Sequence, residues 1–374
     1  MIEYIFLIFI PVIFSFVSIE KNRTRKTLLL GTSRSITENS MAFVVFFAIY
    51  FLMLALRNVV IGNDTLNYKN FFEAYHSSDY RIINYVGFEY LYGLFNWLFH
   101  KVSHNFQLFL FSAAAFCVYP MAKLYCENKK HSLLQIAIFI NLSTFVMLFS
   151  GLRQAMAMAM GIIAYNFVRE KKLFWFIATC FVALGFHHSA FILFLMYPLY
   201  HIAFKKKDLW YIIPTIGLVV IFNTQIFSLL ANLMALFSNK YEDVSITQTG
   251  AITTFLMFAA FAIFCYIIPD ESKMDKEMFG LRNILLFSMV LQSFASLHTL
   301  AMRMNYYYMI FIPIIVAKVI DIPKDRYKQV AKLGGLIIAV FLFGYFFMGL
   351  YRDYITGESA LNTVPYKFFW ETTI

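Results

Sequence analysis

The sequence predicts an all-α polytopic membrane protein of about twelve transmembrane helices, with one short re-entrant or amphipathic helix on the outer face. Three observations carry that expectation. Hydrophobic residues make up 61% of the 374-residue chain and charged residues only 14%, more apolar surface than a soluble core of this length can hide. Apolar runs of roughly 16–20 residues recur throughout, each about long enough to cross ~30 Å of hydrocarbon as a helix. The connections between runs alternate between basic-rich and basic-poor, as loops on opposite sides of a membrane do.

The runs fall at about 4–19, 41–56, 105–125, 133–150, 152–168, 173–187, 189–203, 209–224, 251–268, 281–298, 304–320 and 333–350. The first, YIFLIFIPVIFSFVSI, has no basic stretch before it and no small-residue cleavage site after it, so it reads as a retained span. Alternate connections at 20–40, 123–132, 169–172, 205–207, 269–283 and 318–332 hold 22 of the 31 Lys and Arg residues, and the other side holds nine. The positive-inside rule makes the basic loops cytoplasmic and places both termini outside. The net charge of +10 then belongs to those loops and requires no nucleic acid. Cys117, Cys126, Cys180 and Cys265 are scattered, with neither disulfide nor metal spacing. One membrane domain over 1–374 is expected, with an outer segment at 57–104 and an outer tail at 351–374.

The few charges of the outer side are concentrated. In 57–104, Arg57 ends the second span, Asp64 follows a Gly-Asn turn, and Glu89 opens a stretch over 88–102 whose alternation has helical spacing. Arg153 and Gln154 lie in SGLRQAMAMAM, at a very short turn between two spans. His187, His188 and Ser189 occupy the next outer turn, in ALGFHHSAFILF, and His298 and Arg303 bracket another. Ionisable groups at span ends are unfavourable unless they face water, a partner or a cavity. Bland readings exist for each: Arg57 and Arg303 as snorkelling anchors, Glu89 paired with Arg81 or Lys101, Asp64 capping its turn. Arg153 has no such easy account.

Three guanidiniums suit bidentate recognition of an anion, and in a membrane that anion is a lipid diphosphate. A nearby imidazole or carboxylate could take the proton of an attacking sugar hydroxyl. Together these suggest glycosyl transfer from a polyprenyl-diphosphate donor. No carboxylate pair is spaced for Mg²⁺, and there is no Cys/His metal spacing or P-loop, so a reaction without metal or other cofactor is expected. A flippase should keep charges along the midplane of its spans and show pseudo-repeated halves, and here the spans are nearly free of ionisable groups. A membrane acyltransferase would carry a His-x-x-x-x-Asp spacing, which is absent.

The ordered motifs resemble the EpsG family, a branch of the Wzy-type bacterial polysaccharide polymerases. They are Arg57, Gly62-x-Asp64-Thr65-x-x-Tyr68, Phe88-Glu89, Gly151-Leu152-Arg153-Gln154-x-x-Ala157, Phe186-His187-x-Ser189-Ala190, Arg303 before a Tyr-rich span, and Pro365-Tyr366. The resemblance covers nearly the whole chain, and its specificity comes from the order of the set. It implies a GT-C-like fold and polymerisation of undecaprenyl-diphosphate-linked repeat units, as for O-antigen, capsule or exopolysaccharide, on the outer face of the bacterial plasma membrane. A growing chain would pass en bloc to a newly flipped repeat unit. By the family pattern the motif histidine is His187, with His188 at a variable position. Asp64 is not part of an Asp-x-Asp pair, unlike some metal-using GT-C enzymes. The expected assignment is Arg57, Arg153 and Arg303 to the diphosphate, His187 or Glu89 to the base, and Asp64 to acceptor positioning or an alternate base. Gln154, Tyr68, His188, Tyr307 and Tyr366 are expected as secondary substrate contacts. Expected partners are the lipid-linked repeat units and the bilayer, with a chain-length regulator and a flippase as candidates. The rival activity is an O-antigen-ligase-like transfer to another acceptor.

Overall fold

The structure is a computed structural model that describes residues 1–28, 40–74, 88–235 and 252–372. Residues 29–39 of the basic loop expected at 20–40, and Arg81 and Lys240, lie outside the described residues, whereas 20–28, with four of its five basic residues, continue the first helix. Regular structure among the described residues is helical, and the two isolated β-bridges belong to no strand. The helices gather into two compact units, Met1–Phe191 with Gly334–Ile374, and Ile192–Leu333.

In the first unit the helices are α1 (Ile2–Leu28), α2 (Met41–Ala55), α3 (Thr65–Ala74), α4 (Tyr90–Val102), α5 (Phe106–Glu127), α6 (Ser132–Ile140), α7 (Ser143–Ser150), α8 (Leu152–Arg169) and α9 (Leu173–Phe186). The second unit has α10 (Met196–His201), α11 (Leu209–Ile221), α12 (Asn223–Ala235), α13 (Ile252–Ile267), α14 (Lys276–Ala295), α15 (Thr299–Met309) and α16 (Ile312–Ile320). Helix α17 (Lys328–Thr356) starts in the second unit and runs mostly in the first.

The segments expected as spans are largely helical, but 133–150 is broken at Asn141–Leu142 and 189–203 is a 3₁₀ run, His188–Leu195, followed by the six-residue α10. By length and composition, three helices can cross a membrane: α5, α14, and α17 with its 3₁₀ lead-in. Three bent pairs raise this to six if each is one crossing: α6 with α7 at 61°, α11 with α12 at 70°, and α15 with α16 at 43°. Four further apolar helical segments are shorter: Ile2–Phe16 within α1 and α2 with 15 residues each, α9 with 14 and α13 with 16. At 1.5 Å per residue these reach about 21–24 Å.

In the first unit α2 packs between α1 and α5, while α8 packs on α9 and α5. The core is aromatic, with Tyr50 stacked on Phe145 at 4.9 Å and donating its hydroxyl to the Phe145 carbonyl at 2.6 Å. The chain after α17 returns to the end of α2. Asn58 N–H donates to Lys367 O and Phe369 N–H to Leu56 O, both at 2.9 Å, and the Tyr366 hydroxyl donates to Met53 O at 2.7 Å. The expected outer tail is thus folded onto residues 53–58.

In the second unit α14 is the central helix, packed against α10, α11, α12, α13, α15 and α16. Buried polar side chains join α14 to α15. The Asn305 amide donates to Ser288 O at 2.9 Å and to the Gln292 side-chain oxygen at 3.0 Å, and it accepts from the Ser288 hydroxyl at 2.5 Å. Away from water, such groups hold a helix pair in one register because the alternative leaves them unpaired.

Two close approaches set the position of the short helices in the first unit. Gly62 has φ of +84°, and a Cβ there would lie 1.9 Å from Phe149 O. Gly185, near the end of α9, leaves room for Leu91 of α4, whose Cγ would be 2.5 Å from an added Cβ. Gly62→Ala is therefore expected to destabilise by more than about 2 kcal/mol, combining left-handed strain with a clash against backbone. Loss of the monodisperse gel-filtration peak, or a large drop in unfolding temperature, would show it.

Candidate active site at the Glu89 carboxylate

The helix expected over 88–102 forms as α4, with Glu89 at its N-cap position in extended conformation (φ −62°, ψ 142°). The Glu89 side chain does not cap its own helix. It points instead to two other segments. Oε2 accepts from Arg153 Nη1 at 2.5 Å, and Oε1 accepts from His187 Nδ1 at 2.9 Å and from the His188 backbone N–H at 3.1 Å.

Each donor arrives there for a local reason. The apolar run 132–150 is split at Asn141–Leu142, and α7 then ends at Gly151, whose φ of −84° and ψ of 66° break the helix for one residue. Arg153 follows as the second residue of α8, held at the break. Helix α9 stops at Phe186, His187 is extended (φ −159°, ψ 127°), and a 3₁₀ run begins at His188. This extended residue turns the imidazole back toward α4 and frees the next N–H to donate.

Arg153 is held on further sides. Its guanidinium carbon lies 4.3 Å above the Phe88 ring, a cation–π contact, and the Tyr68 ring packs on the same Phe88 at 6.2 Å. Its Nε is buried without a partner. Phe88 packs edge-on against Phe71 at 4.4 Å and Tyr92 at 5.5 Å, so an aromatic floor joins α3 to α4 beneath the cation. Gln154 Nε2 reaches Ser189 Oγ at 3.5 Å.

Glu89 is 5% exposed. Burial is the largest single influence on its carboxyl and opposes ionisation. The His187 hydrogen bond and the Arg153 and His187 charges together outweigh it and hold the group at about 2, below its ordinary 4.5. At neutral pH the carboxylate can only accept, so the His187 Nδ1 facing it carries the proton. When that imidazole is neutral, its lone pair is on Nε2.

Asp64 is half-buried on the turn before α3, and its Oδ2 accepts from the Ser150 hydroxyl at 3.3 Å. Arg57 and Tyr366 differ from expectation. Arg57 is 1% exposed, donating Nη1 to Leu54 O and Nε to Thr65 Oγ1 at 3.5 Å, with Nη2 buried and unpartnered. It makes no hydrogen bond to Glu89, Arg153 or His187, because the tail closes over it through the Arg57–Phe368 bridge. Tyr366 is likewise a buried strut to α2. Arg303, exposed on α15, and Tyr307, buried there, belong to the second unit. His188 is exposed, and its backbone, not its ring, serves Glu89. Arg81, the bland partner considered for Glu89, lies outside the described residues.

Sequence reasoning gave no role to Ser150 or to Phe88 as the platform under Arg153. Ser150 adjoins the Gly-Leu-Arg-Gln motif and Phe88 stands inside one, but only spatial contact shows what either touches.

This arrangement lies within the stretch matched by a family model, residues 40–368, which is that of the EpsG family. The chain belongs to the EpsG family. No curated protein and no solved structure matches it. As an EpsG-family chain built of apolar helices, the protein is a membrane protein of polysaccharide biosynthesis, a polymerase of glycosyltransferase type at the level that family membership gives.

The Glu89 contacts contribute stability that is complete above about pH 4.5 and lost as pH falls through about 2, since the folded-state pKa is the depressed one. Wild type should be the more stable of wild type and Glu89→Gln when the two are compared by thermal unfolding near neutral pH. The difference should shrink below pH 4. A gap that stays undiminished as pH falls from 4 to 2 would contradict the pairing.

Proposed function

We propose that this EpsG-family protein is a Wzy-type polymerase, transferring a growing glycan from undecaprenyl diphosphate to a new lipid-linked repeat unit on the outer face of the plasma membrane. The observation that carries the reading is the shared carboxylate, with Glu89 fixing both a cation and an imidazole at one point. Held by Nδ1, His187 has Nε2 as the atom to take the acceptor hydroxyl proton as that oxygen attacks the anomeric carbon. The glycosidic C–O bond to the diphosphate breaks, undecaprenyl diphosphate leaves with the bonding pair, and Arg153 receives the developing charge. The proton on Nε2 then passes to solvent or to the departing phosphate.

Glu89 is too acidic to act as the base itself and is assigned to orient His187 and Arg153. Arg57 is assigned to the Thr65 turn instead of the diphosphate, because it is enclosed. Arg303 stays assigned to the diphosphate through its place in the motif order. The reaction is taken as metal-independent, with arginine meeting the charge of the leaving group. Twelve crossings, with the basic loops inside and both termini outside, complete the topology of a GT-C-like enzyme. The lipid-linked repeat units are the substrate, and a chain-length regulator and flippase are its candidate partners.

Deletion of the gene tests the activity. Single lipid-linked repeat units should accumulate on the outer leaflet, whereas accumulation on the inner leaflet would point to a flippase and long unligated polymer to a ligase. Within the site, Arg153→Ala should lower the polymerisation rate by about 10²–10³-fold, as loss of one preorganised donor does. Arg153→Lys should not rescue it, because a point charge cannot keep the Glu89 edge and reach an anion with a second N–H. His187→Ala should fall to a similar extent, and full-length polymer from either variant at normal protein level would refute the assignment.

A further inference from the structure

Helix α7 ends at Phe149–Ser150, next to the break that presents Arg153, and these two residues also hold the turn that carries Asp64. Thr65 Oγ1, which donates to Ile61 O at 2.6 Å, also lies 3.2 Å from Phe149 O, and Gly62 lies against the same carbonyl. Ser150 is 3% exposed, and its Oγ meets two atoms of Asp64, accepting from the backbone N–H at 3.2 Å and donating to Oδ2 at 3.3 Å. A hydroxyl has one donor and two acceptor positions, so it can serve both at once. With the backbone fixed by Gly62 and Thr65, the remaining freedom of Asp64 is in its side-chain torsions, and Ser150 restrains those. Tyr68, one helical turn on from Asp64, packs its ring against Phe88 at 6.2 Å, and Phe88 lies under the Arg153 guanidinium. The carboxylate therefore stands beside the Arg153 cluster, yet it is half-exposed where Glu89 is buried. Glu89 accepts three hydrogen bonds from protein donors, whereas Asp64 has one oxygen restrained and is half-exposed.

We propose that Ser150 is a positioning residue that aims the Asp64 carboxylate at hydroxyl groups of the acceptor saccharide, making Ser150 and Asp64 an acceptor subsite next to the Arg153–Glu89–His187 cluster. The inference rests on the polymerase reading above. A carboxylate accepting sugar hydroxyls forms charge-assisted hydrogen bonds, and restraining it beforehand leaves less conformational freedom to lose on binding. Asp64 makes and breaks no covalent bond in this role, and the proton still goes to His187.

The test uses the full-length protein in proteoliposomes, with a prenyl-diphosphate-linked repeat unit as donor and the methyl glycoside of that unit as soluble acceptor. Products are measured by mass spectrometry. Ser150→Ala should raise the acceptor KM by about tenfold, with kcat and the donor KM within about twofold. Ser150→Thr, which keeps the hydroxyl, should restore the acceptor KM to within about twofold of wild type. Asp64→Asn should raise the same constant, and the Asp64→Asn, Ser150→Ala double variant should be no worse than Asp64→Asn alone, as for two residues acting through one contact. Fully additive effects in the double variant would overturn the proposal. If the alanine variant does not fold, Asp64→Asn decides, since an unchanged acceptor KM there overturns the subsite. A wild-type protein that extends no acceptor would overturn the polymerase reading itself. One that extends it while Ser150→Ala keeps a normal acceptor KM would overturn this inference alone.

Discussion

A carboxylate removed from water must find donors or lose its charge, and the Glu89 carboxylate finds three, from two segments distant in sequence. Arg153 comes from the start of α8, and the His187 ring and His188 N–H come from the turn after α9. The N-terminus of α4, the break before α8 and the turn after α9 are thereby tied at one point. None of the three segments is regular there: one is a helix cap, one a single-residue helix break and one an extended residue before a 3₁₀ run. Irregular backbone of this kind leaves its own polar groups to be satisfied, and the same departure from regular helix puts the functional side chains within reach of one another.

The break at Gly151 organises more than Arg153. Over six residues, from Phe149 to Gln154, the chain touches the Gly62–Thr65 turn, Asp64, Glu89 and Ser189. Polar side chains along a continuous helix would be spread around its axis and along its length. Ending α7 and restarting α8 within a residue gathers them on one side. The contacts that permit this are steric as much as polar, since a Cβ on Gly62 would overlap Phe149 O and one on Gly185 would overlap Leu91.

Arg57 and the tail show how a charged residue near a site can serve it indirectly. Arg57 touches the Leu54 carbonyl and the Thr65 hydroxyl, and the 366–369 segment covers it through main-chain bonds to residues 56–58 and the Tyr366 hydroxyl on Met53. Thr65 Oγ1 in turn lies against Phe149 O. The C-terminal segment, nearly the whole chain length away in sequence, therefore shapes the turn carrying Asp64. In the second unit the neutral groups Asn305, Ser288 and Gln292 fix α15 on α14 in the register that carries Arg303.

Composition and periodicity determined that the chain is helical and apolar, and where its helical segments lie, because each follows from local hydropathy and spacing that tertiary contacts do not override. Motif order likewise determined the family, and it marked Glu89, Arg153 and His187 as unusual for residues at the ends of apolar runs. What each touches was decided only by tertiary structure. Glu89 and Arg81 lie close in sequence, whereas Glu89 and Arg153 are separated by four complete helices, α4 to α7, and no local rule joins them. Whether an arginine at a span end faces outward or is enclosed depends on a tail some 310 residues later, which separates Arg57 from Arg153. Ser150 could not be distinguished by sequence from any other serine at a helix end, because its role exists only where the Asp64 turn is pressed against α7.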